Sequence, residues 1–384
     1  MRIDLRGYVK FLVENSLLLI IGTTAGLLWA NAYFETYISF AGQLRFLIND
    51  IGMAFFFGIA AKEIFEAVLP GGPLDSIKKA AMPITATLGG IILPAFIFIA
   101  GAVLFSRSDL LKGWAIPCAT DIAFSYLVAR FAFGAKHPAI PFLLIIAIAD
   151  DALGLIILAL FYPTGAIHLP LFLLLLAAAL ASAYVLKRLK VLSFWPYILI
   201  SGPLSWFGFY LGGFHPALAL VPIVFMMPHA QRDVGMFEEA DDTLPDALNR
   251  FEHWWENPVA VVLGLFGLIN AGVVLSGINT GTWLVLGGLL VGKPIGICSF
   301  CLLGRLMGLG LPARMRWRDV VVIGCAASIG FTVSLFISTV AFESGENLDA
   351  VKMGSLLSFS AILLTIAVAR LLRVRSSVTE AEGG

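Results

Sequence analysis

The stretch FLLIIAIADDALGLIILALFYP, residues 142–163, places two adjacent carboxylates, Asp150 and Asp151, in a run that is otherwise apolar. A helix needs about 20 such residues to cross the hydrocarbon core of a bilayer. Each acid at the centre of a bilayer helix raises the free energy of insertion by roughly 2.5–3.5 kcal/mol. Acids at this depth are typical of ion or proton pathways, so the stretch indicates both a membrane fold and a functional site.

The composition of the whole chain agrees with a membrane protein. Hydrophobic residues make up 59% of the 384 residues and charged residues 13%, whereas soluble domains have about 45–50% and about 25%. We therefore expect an all-α polytopic membrane protein of about twelve transmembrane helices. The formal net charge of zero argues against nucleic acid as a partner.

Apolar runs bounded by Gly, Pro and charged residues predict a single transmembrane domain over residues 1–384. The predicted spans lie near 12–31, 49–69, 83–105, 113–130, 141–162, 168–186, 192–211, 214–228, 258–276, 281–304, 319–342 and 351–372. Asp50, at the start of the second span, is expected to cap that helix.

The lysines and arginines predict the orientation of the chain, since cytoplasmic loops carry an excess of them. If the N-terminus is cytoplasmic and twelve spans follow, most basic residues gather on the side of the two termini. The other side receives Arg45, Arg107, Lys112 and Lys352. Both termini are therefore expected in the cytoplasm.

A break is predicted in the span at 113–130, where Pro117 and Thr120 precede Asp121 in GWAIPCATDIAF. Proline removes a backbone donor and disturbs the preceding turn, so the helix is expected to break near Thr120. The span at 319–342 has several Gly, Ser and Thr residues in its middle third. These residues suit either an unwound segment or close helix packing.

Near the centres of the predicted spans at 113–130, 141–162 and 281–304 stand three acids, Asp121, Asp150 and Asp151, and the base Lys293. One Asp–Lys pair would offset part of the desolvation free energy and leave carboxylates to bind a cation or a proton. Neighbouring residues on a helix point about 100° apart, so one aspartate can face a cavity while the other pairs sideways. A proton and a cation would compete for the same oxygens, which predicts antiport.

Five blocks of sequence resemble the NhaA-type sodium/proton antiporters in order and spacing. They are ATDIAF (119–124), ADDALG (149–154), NAGV (270–273), GKPIGI (292–297) and IGFTVSLFI (329–337). Further similarity in FLINDIGMAFFF and around GFHPALA extends the resemblance over nearly the whole chain.

The resemblance, and not the residue pattern, implies the NhaA fold, in which two inverted repeats place two broken helices across each other at the midplane. It implies that Asp150 and Asp151 bind sodium and protons, and that Lys293 pairs with Asp150 when sodium is absent. Asp121, with Thr120 beside it, would stand at the crossing and offset the positive ends of the half-helices, while Lys293 would offset the negative ends.

The resemblance also implies the physiology. The family is electrogenic and extrudes sodium (or lithium) in exchange for incoming protons, which maintains sodium and pH homeostasis. Its members are multi-pass proteins of the bacterial inner membrane that work as homodimers. No cofactor and no enzymatic reaction are expected.

The residues that match the family's pH-sensing regions are Glu66, Glu252 and His253, and His215 is a further candidate for pH regulation. The chain departs from the family in GIAAKEIFEA, where Lys62 stands in place of an acid. Lys62 and Glu66 are four residues apart and can simply pair along a helix. His215 can titrate near neutral pH or act as a hydrogen-bonded residue at a helix end. The pH response is therefore the least transferable property.

Other classes of membrane protein fit the residues less well. An organic-anion symporter would need cationic groups in its core, which is net acidic here. An intramembrane aspartyl protease brings its two acids from separate helices, whereas Asp150 and Asp151 are neighbours on one helix. A sensor that transports nothing would be distinguished only by a flux assay.

Overall fold

The computed structural model describes residues 17–229, 246–275 and 278–374. Within these ranges all regular secondary structure is helical. The helices are α1 (Leu17–Ala32), α2 (Phe34–Val68), α3 (Ile77–Leu104), α4 (Ile122–Phe133), α5 (Ala139–Phe161), α6 (Leu169–Arg188), α7 (Gly202–Gly212), α8 (Val221–Val224), α9 (Ala247–Asn270), α10 (Thr280–Leu306), α11 (Trp317–Ala326), α12 (Phe331–Ala341) and α13 (Glu346–Leu371).

In the part of the chain described, six helices are long and apolar enough to cross a membrane: α2, α3, α5, α6, α10 and α13. Two helix pairs, each bent at a short break, are together long and apolar enough to do so. The 3-10 segment Ser108–Cys118 meets α4 at 54°, and α11 meets α12 at 49°. The expected all-helical membrane protein is confirmed, and the count of twelve spans stays a prediction.

Two differences from the predicted spans have clear physical reasons. Helix α2 begins at Phe34 instead of near 49, because its first turns carry polar residues that a search for apolar runs passes over. The span expected at 214–228 is a 3-10 turn, Pro216–Leu218, followed by the four-residue helix α8. Pro216 and Pro222 lack the backbone N–H that a continuous helix would need.

The prediction that Asp50 caps a helix is wrong. Asp50 lies inside α2, in the π-helical segment Phe46–Gly52, where the helix makes wider turns. Its carbonyl accepts a hydrogen bond from the indole of Trp206 at 3.0 Å.

The chain divides into two compact units. The first consists of Met1–Gly72 and Leu155–Gly272, and the second of Pro73–Gly154 and Val273–Gly384. In the first unit, α2 is joined to the end of α9 by a reciprocal amide pair. Asn49 donates to Asn270 at 3.1 Å, and Asn270 donates to Asn49 at 2.9 Å.

The second unit contains α3, α4, α10–α13 and most of α5. Helices α3 and α10 approach each other at a glycine pair. A Cβ atom on Gly89 would lie 2.2 Å from the Gly296 carbonyl oxygen, and one on Gly296 would lie 2.1 Å from the Gly89 oxygen. Only residues without a side chain allow this approach, so the glycine pair fixes the spacing of the two helices.

Candidate ion-binding site

The first break lies between the 3-10 turn Ile116–Cys118 and α4, and Asp121 is the residue that starts the new helix. Asp121 has extended backbone geometry, and its carboxylate accepts a hydrogen bond from the Phe124 N–H at 3.4 Å. This is the usual role of an aspartate at a helix N-cap. The break predicted near Thr120 is present, with Pro117 inside the preceding turn.

The second break, residues 327–330, contacts the first. The Asp121 N–H donates to the Ile329 carbonyl at 2.6 Å, and the Thr120 hydroxyl donates to the Ala327 carbonyl at 3.2 Å. Gly330 is needed here, because a Cβ atom on it would lie 2.9 Å from the Ala119 oxygen. Of the two alternatives for the 319–342 span, an unwound segment or close helix packing, the structure contains an unwound segment between Ala326 and Phe331.

The Asp121 carboxylate also connects the two broken spans. It accepts hydrogen bonds from both the backbone N–H, at 3.1 Å, and the hydroxyl of Thr332, near the start of α12. Backbone groups freed by a break need partners when no water is near. Asp121 therefore supplies acceptors to the starts of two half-helices at once.

Lys293 of α10 and Asp150 of α5 form a buried ion pair. The Lys293 ammonium lies 2.9 Å from a carboxylate oxygen of Asp150, and the two side chains are 1% and 3% exposed. The ammonium also donates to the Cys118 carbonyl at 2.5 Å, at the end of the turn before the first break. One cation thus binds a carboxylate and a helix C-terminal carbonyl, both of which favour positive charge.

Thr120 and Asp151 complete the surroundings of this pair. The Thr120 hydroxyl has two acceptors within reach, the Ala327 carbonyl and the Asp150 carboxylate. Asp151, the next residue of α5, is partly exposed, whereas Asp150 is buried. Of the two neighbouring acids, Asp150 is therefore paired in the interior and Asp151 is the more exposed.

We call residues 118–121, Asp150, Lys293 and Thr332 the break cluster. All of its members belong to the second unit. The structure thus brings together the predicted supporting residues, Thr120, Asp121 and Lys293, with Asp150. Carboxylate, hydroxyl and carbonyl oxygens are ligands that hard cations prefer.

The residues matched to pH sensing lie in the first unit. Lys62 is buried in α2 and contacts two acids, Glu66 at 2.7 Å and Glu252 at 2.6 Å. The pairing of Lys62 with Glu66 along the helix is thus present, and Glu252 adds a link from α2 to α9. The His253 side chain is exposed.

His215 is buried at the start of the Pro216–Leu218 turn. Its Nδ1 accepts a hydrogen bond from the Ala217 N–H at 3.2 Å. This contact is that of a histidine that caps the start of a helical turn, and it requires the Nδ1 atom to be unprotonated.

Two members of the break cluster have roles that the sequence did not predict. The Cys118 carbonyl is a backbone group, and no side-chain pattern distinguishes it from any other. Thr332 was one of several hydroxyl residues in its span, and only its position at the start of α12 selects it. The GFT sequence around it, with glycine at a break and threonine after it, is the only available signal.

Helices that enclose an ion pair and two helix breaks in apolar surroundings define a class of protein, the ion-coupled transporters of membranes. The family follows from comparison with known proteins. The family model described as Na+/H+ antiporter 1 matches residues 9–371. The chain belongs to this family, which confirms the resemblance read from the five sequence blocks.

Relatives match over nearly their full lengths. The Na(+)/H(+) antiporter NhaA of Jannaschia sp. (strain CCS1) is 48% identical, over 95% of this chain and 98% of that protein. The Na(+)/H(+) antiporter NhaA of Geobacter metallireducens is 45% identical, over 97% and 99%.

The fold also resembles a solved structure, the sodium proton antiporter MjNhaP1 from Methanocaldococcus jannaschii. The TM-score is 0.52 at 15% identity, and the match covers 94% of this chain and 90% of that one. At this identity the likeness concerns the fold alone.

Proposed function

We propose that this protein is an electrogenic antiporter that extrudes sodium, or lithium, in exchange for incoming protons at Asp150 and Asp151. The observation that carries the proposal is the buried pair of Lys293 and Asp150, with Asp151 as the next residue. Membership of the antiporter family and the names of its relatives support the same activity.

The break cluster suggests how the exchange works. Without a cation, Lys293 compensates the charge of Asp150. A sodium ion that enters the site would compensate the negative charge of the carboxylates itself. The ion pair of Lys293 with Asp150 would then contribute less to stability and could open. Protons and sodium compete for the same oxygens, so protonation releases the cation on one side of the membrane, and sodium expels protons on the other. If more protons enter than sodium ions leave, the membrane potential drives sodium extrusion.

The wider proposal follows the resemblance. The two broken spans would cross at the bilayer midplane within two inverted repeats of a twelve-helix fold, in one transmembrane domain over residues 1–384. The protein would function as a homodimer in the bacterial inner membrane, with both termini in the cytoplasm, and would maintain sodium and pH homeostasis. Glu66, His215, Glu252 and His253 would set its pH response.

The proposal is tested in inverted membrane vesicles in which respiration has built a proton gradient. Addition of sodium should dissipate the gradient in vesicles with the wild-type protein. Asp151→Asn should abolish this response, because the amide keeps the shape of the side chain but cannot exchange a proton.

The matched control is Asp75→Asn, which changes an acid near the start of α3 that pairs with Lys79 at the surface. This variant should respond to sodium like the wild type. An undiminished response in Asp151→Asn would contradict the proposed site, and a wild-type protein that responds to no alkali cation would contradict the proposed function.

A further inference from the structure

Thr87 of α3 is a buried residue outside the break cluster that bonds to the helix of the two aspartates. The residue is 1% exposed, and its hydroxyl lies 3.2 Å from the Ile146 carbonyl oxygen of α5. In a regular α-helix the carbonyl of residue 146 accepts a hydrogen bond from the N–H of residue 150. The Thr87 hydroxyl therefore donates to the backbone oxygen that pairs with the Asp150 N–H, one helical turn from that residue.

The same turn of α3 also contacts α10 beside Lys293. A Cβ atom on Gly90 would lie 3.7 Å from the Cε atom of Lys293, and the glycine pair lies in this turn as well. Residues 87–90 thus contact both of the helices that carry the buried ion pair. The position of Asp150 along its helix, relative to Lys293, therefore depends on how α5 is bonded to this turn of α3.

The Thr87 hydroxyl has a second acceptor within its own helix. The Pro83 carbonyl oxygen, four residues earlier, lies 3.0 Å from the same hydroxyl oxygen, and this is a common local partner of a threonine inside a helix. A hydroxyl has a single hydrogen to donate. If the Ile146 carbonyl moves away, the bond to the Pro83 carbonyl remains, so the contact between α3 and α5 opens without a buried hydroxyl that lacks a partner.

Two side chains that bond to the Asp150 carboxylate share this property. The Lys293 ammonium donates to Asp150 and also to the Cys118 carbonyl. The Thr120 hydroxyl has the Asp150 carboxylate and the Ala327 carbonyl within reach. These two donors and the Thr87 hydroxyl each keep an acceptor outside α5. This part of α5 can therefore separate from all three donors without leaving any of them unpaired.

We infer that Thr87 is a positioning residue for ion exchange: its bond to the Ile146 carbonyl holds Asp150 beside Lys293 in the sodium-free arrangement and opens when sodium binds. The inference rests on the proposed antiport function. A bond that stabilises only the sodium-free arrangement opposes sodium binding by the same free energy, because a ligand shifts an equilibrium between two arrangements only by its differential affinity for them. Thr87 thereby raises the sodium concentration at which exchange is half-maximal.

The test compares Thr87→Val with the matched control Thr85→Val in proteoliposomes that exchange sodium for protons. Because Thr87→Val removes a neutral hydrogen bond of the sodium-free arrangement, its apparent KM for sodium should fall about threefold, while the maximal rate changes less than about twofold. The Thr85 hydroxyl, on the same helix, donates to the Ala81 carbonyl at 2.7 Å, so Thr85→Val should keep the KM of the wild type. Thr87→Ser, which retains the hydroxyl, should also have a KM close to that of the wild type.

A second measurement separates this role from a structural one. Without sodium, Thr87→Val should unfold at a lower temperature than the wild type, and at saturating sodium the two proteins should unfold at nearly the same temperature. A hydroxyl with a structural role alone would lower both unfolding temperatures equally. That result, a KM for Thr87→Val that is unchanged or raised, or a Thr87→Val protein that stays unfolded in sodium would overturn the inference. A wild-type protein without sodium exchange in the same proteoliposomes would instead contradict the proposed function.

Discussion

Asp121 makes several of the hydrogen bonds that join the two broken spans. Its carboxylate accepts from Phe124 and from both donors of Thr332, and its backbone N–H donates to Ile329. Hydrogen bonds to charged groups contribute about 1.5–3 kcal/mol each, about twice the value of neutral ones. The stability of the site therefore depends on a few side chains that bind no cargo in the proposed mechanism.

The substitution Thr332→Val removes one donor to Asp121 and keeps the shape of the side chain. The free energy of unfolding, measured by denaturation in mixed micelles, should fall by about 1.5–3 kcal/mol. Thr339→Val on the same helix removes a neutral hydrogen bond to the Phe336 carbonyl and should cost about 0.5–1.5 kcal/mol. Equal losses in the two variants would contradict a special role for the Asp121 contact.

At the residue scale, the charged members of the site could be predicted from the sequence. Asp121, Asp150, Asp151 and Lys293 stand out because ionisable residues are rare inside apolar spans. The role of the Cys118 carbonyl depends on backbone position. It is not encoded in residue type, so only the structure could identify it.

At the scale of elements, the packing of α3 on α10 depends on the glycine pair. The nearest atoms to a Cβ on Gly296 belong to the Gly89 backbone, which cannot move aside like the end of a flexible side chain. Helix separation in membranes is commonly set by small residues in this way. Because α10 carries Lys293, the glycine pair also fixes the height of the ammonium beside the first break.

Gly296→Ala should therefore lower the free energy of unfolding by about 1–3 kcal/mol through overpacking. The matched control is Gly287→Ala, also on α10, where no atom lies within 4 Å of the added methyl group. That variant should be unchanged or more stable by about 0.5–1 kcal/mol, because alanine favours the helix. The same loss in both variants would exclude the glycine pair as its cause.

Helix ends were harder to predict from the sequence than helix existence. Apolar runs located the helices near Ala139–Phe161 and Leu169–Arg188 within a few residues. The start of α2 was missed because a helix that leaves the apolar core keeps its hydrogen bonds while its composition becomes polar. The π-helical segment Phe46–Gly52 was also missed, since residue type does not distinguish wide helical turns from ordinary ones.

At the scale of the whole molecule, the distribution of lysine and arginine remains the argument for orientation. The positive-inside rule is the physical basis for the proposal that both termini lie in the cytoplasm. Arg314 and Arg316 between α10 and α11, with Arg318 in the first turn of α11, would then lie on the same side as the termini.

The orientation is measurable with single cysteines in a variant that lacks the four native ones. A cysteine at Arg314, exposed in the structure, should react with a membrane-impermeant maleimide only in inverted vesicles. A cysteine at Arg107, on the predicted outer side, should react only in right-side-out cells. The reverse pattern would overturn the predicted orientation.

The two bonds of the Lys293 ammonium have a consequence for the transport cycle. In the proposed mechanism a cation would displace the ammonium from Asp150 while the bond to the Cys118 carbonyl stays in place. The lysine would then remain attached to the same short turn and need not move into lipid or solvent. Binding of sodium would thus change the partner of Asp150 while the lysine charge stays in place. The reorganisation energy would be smaller than for a lysine that has to move away.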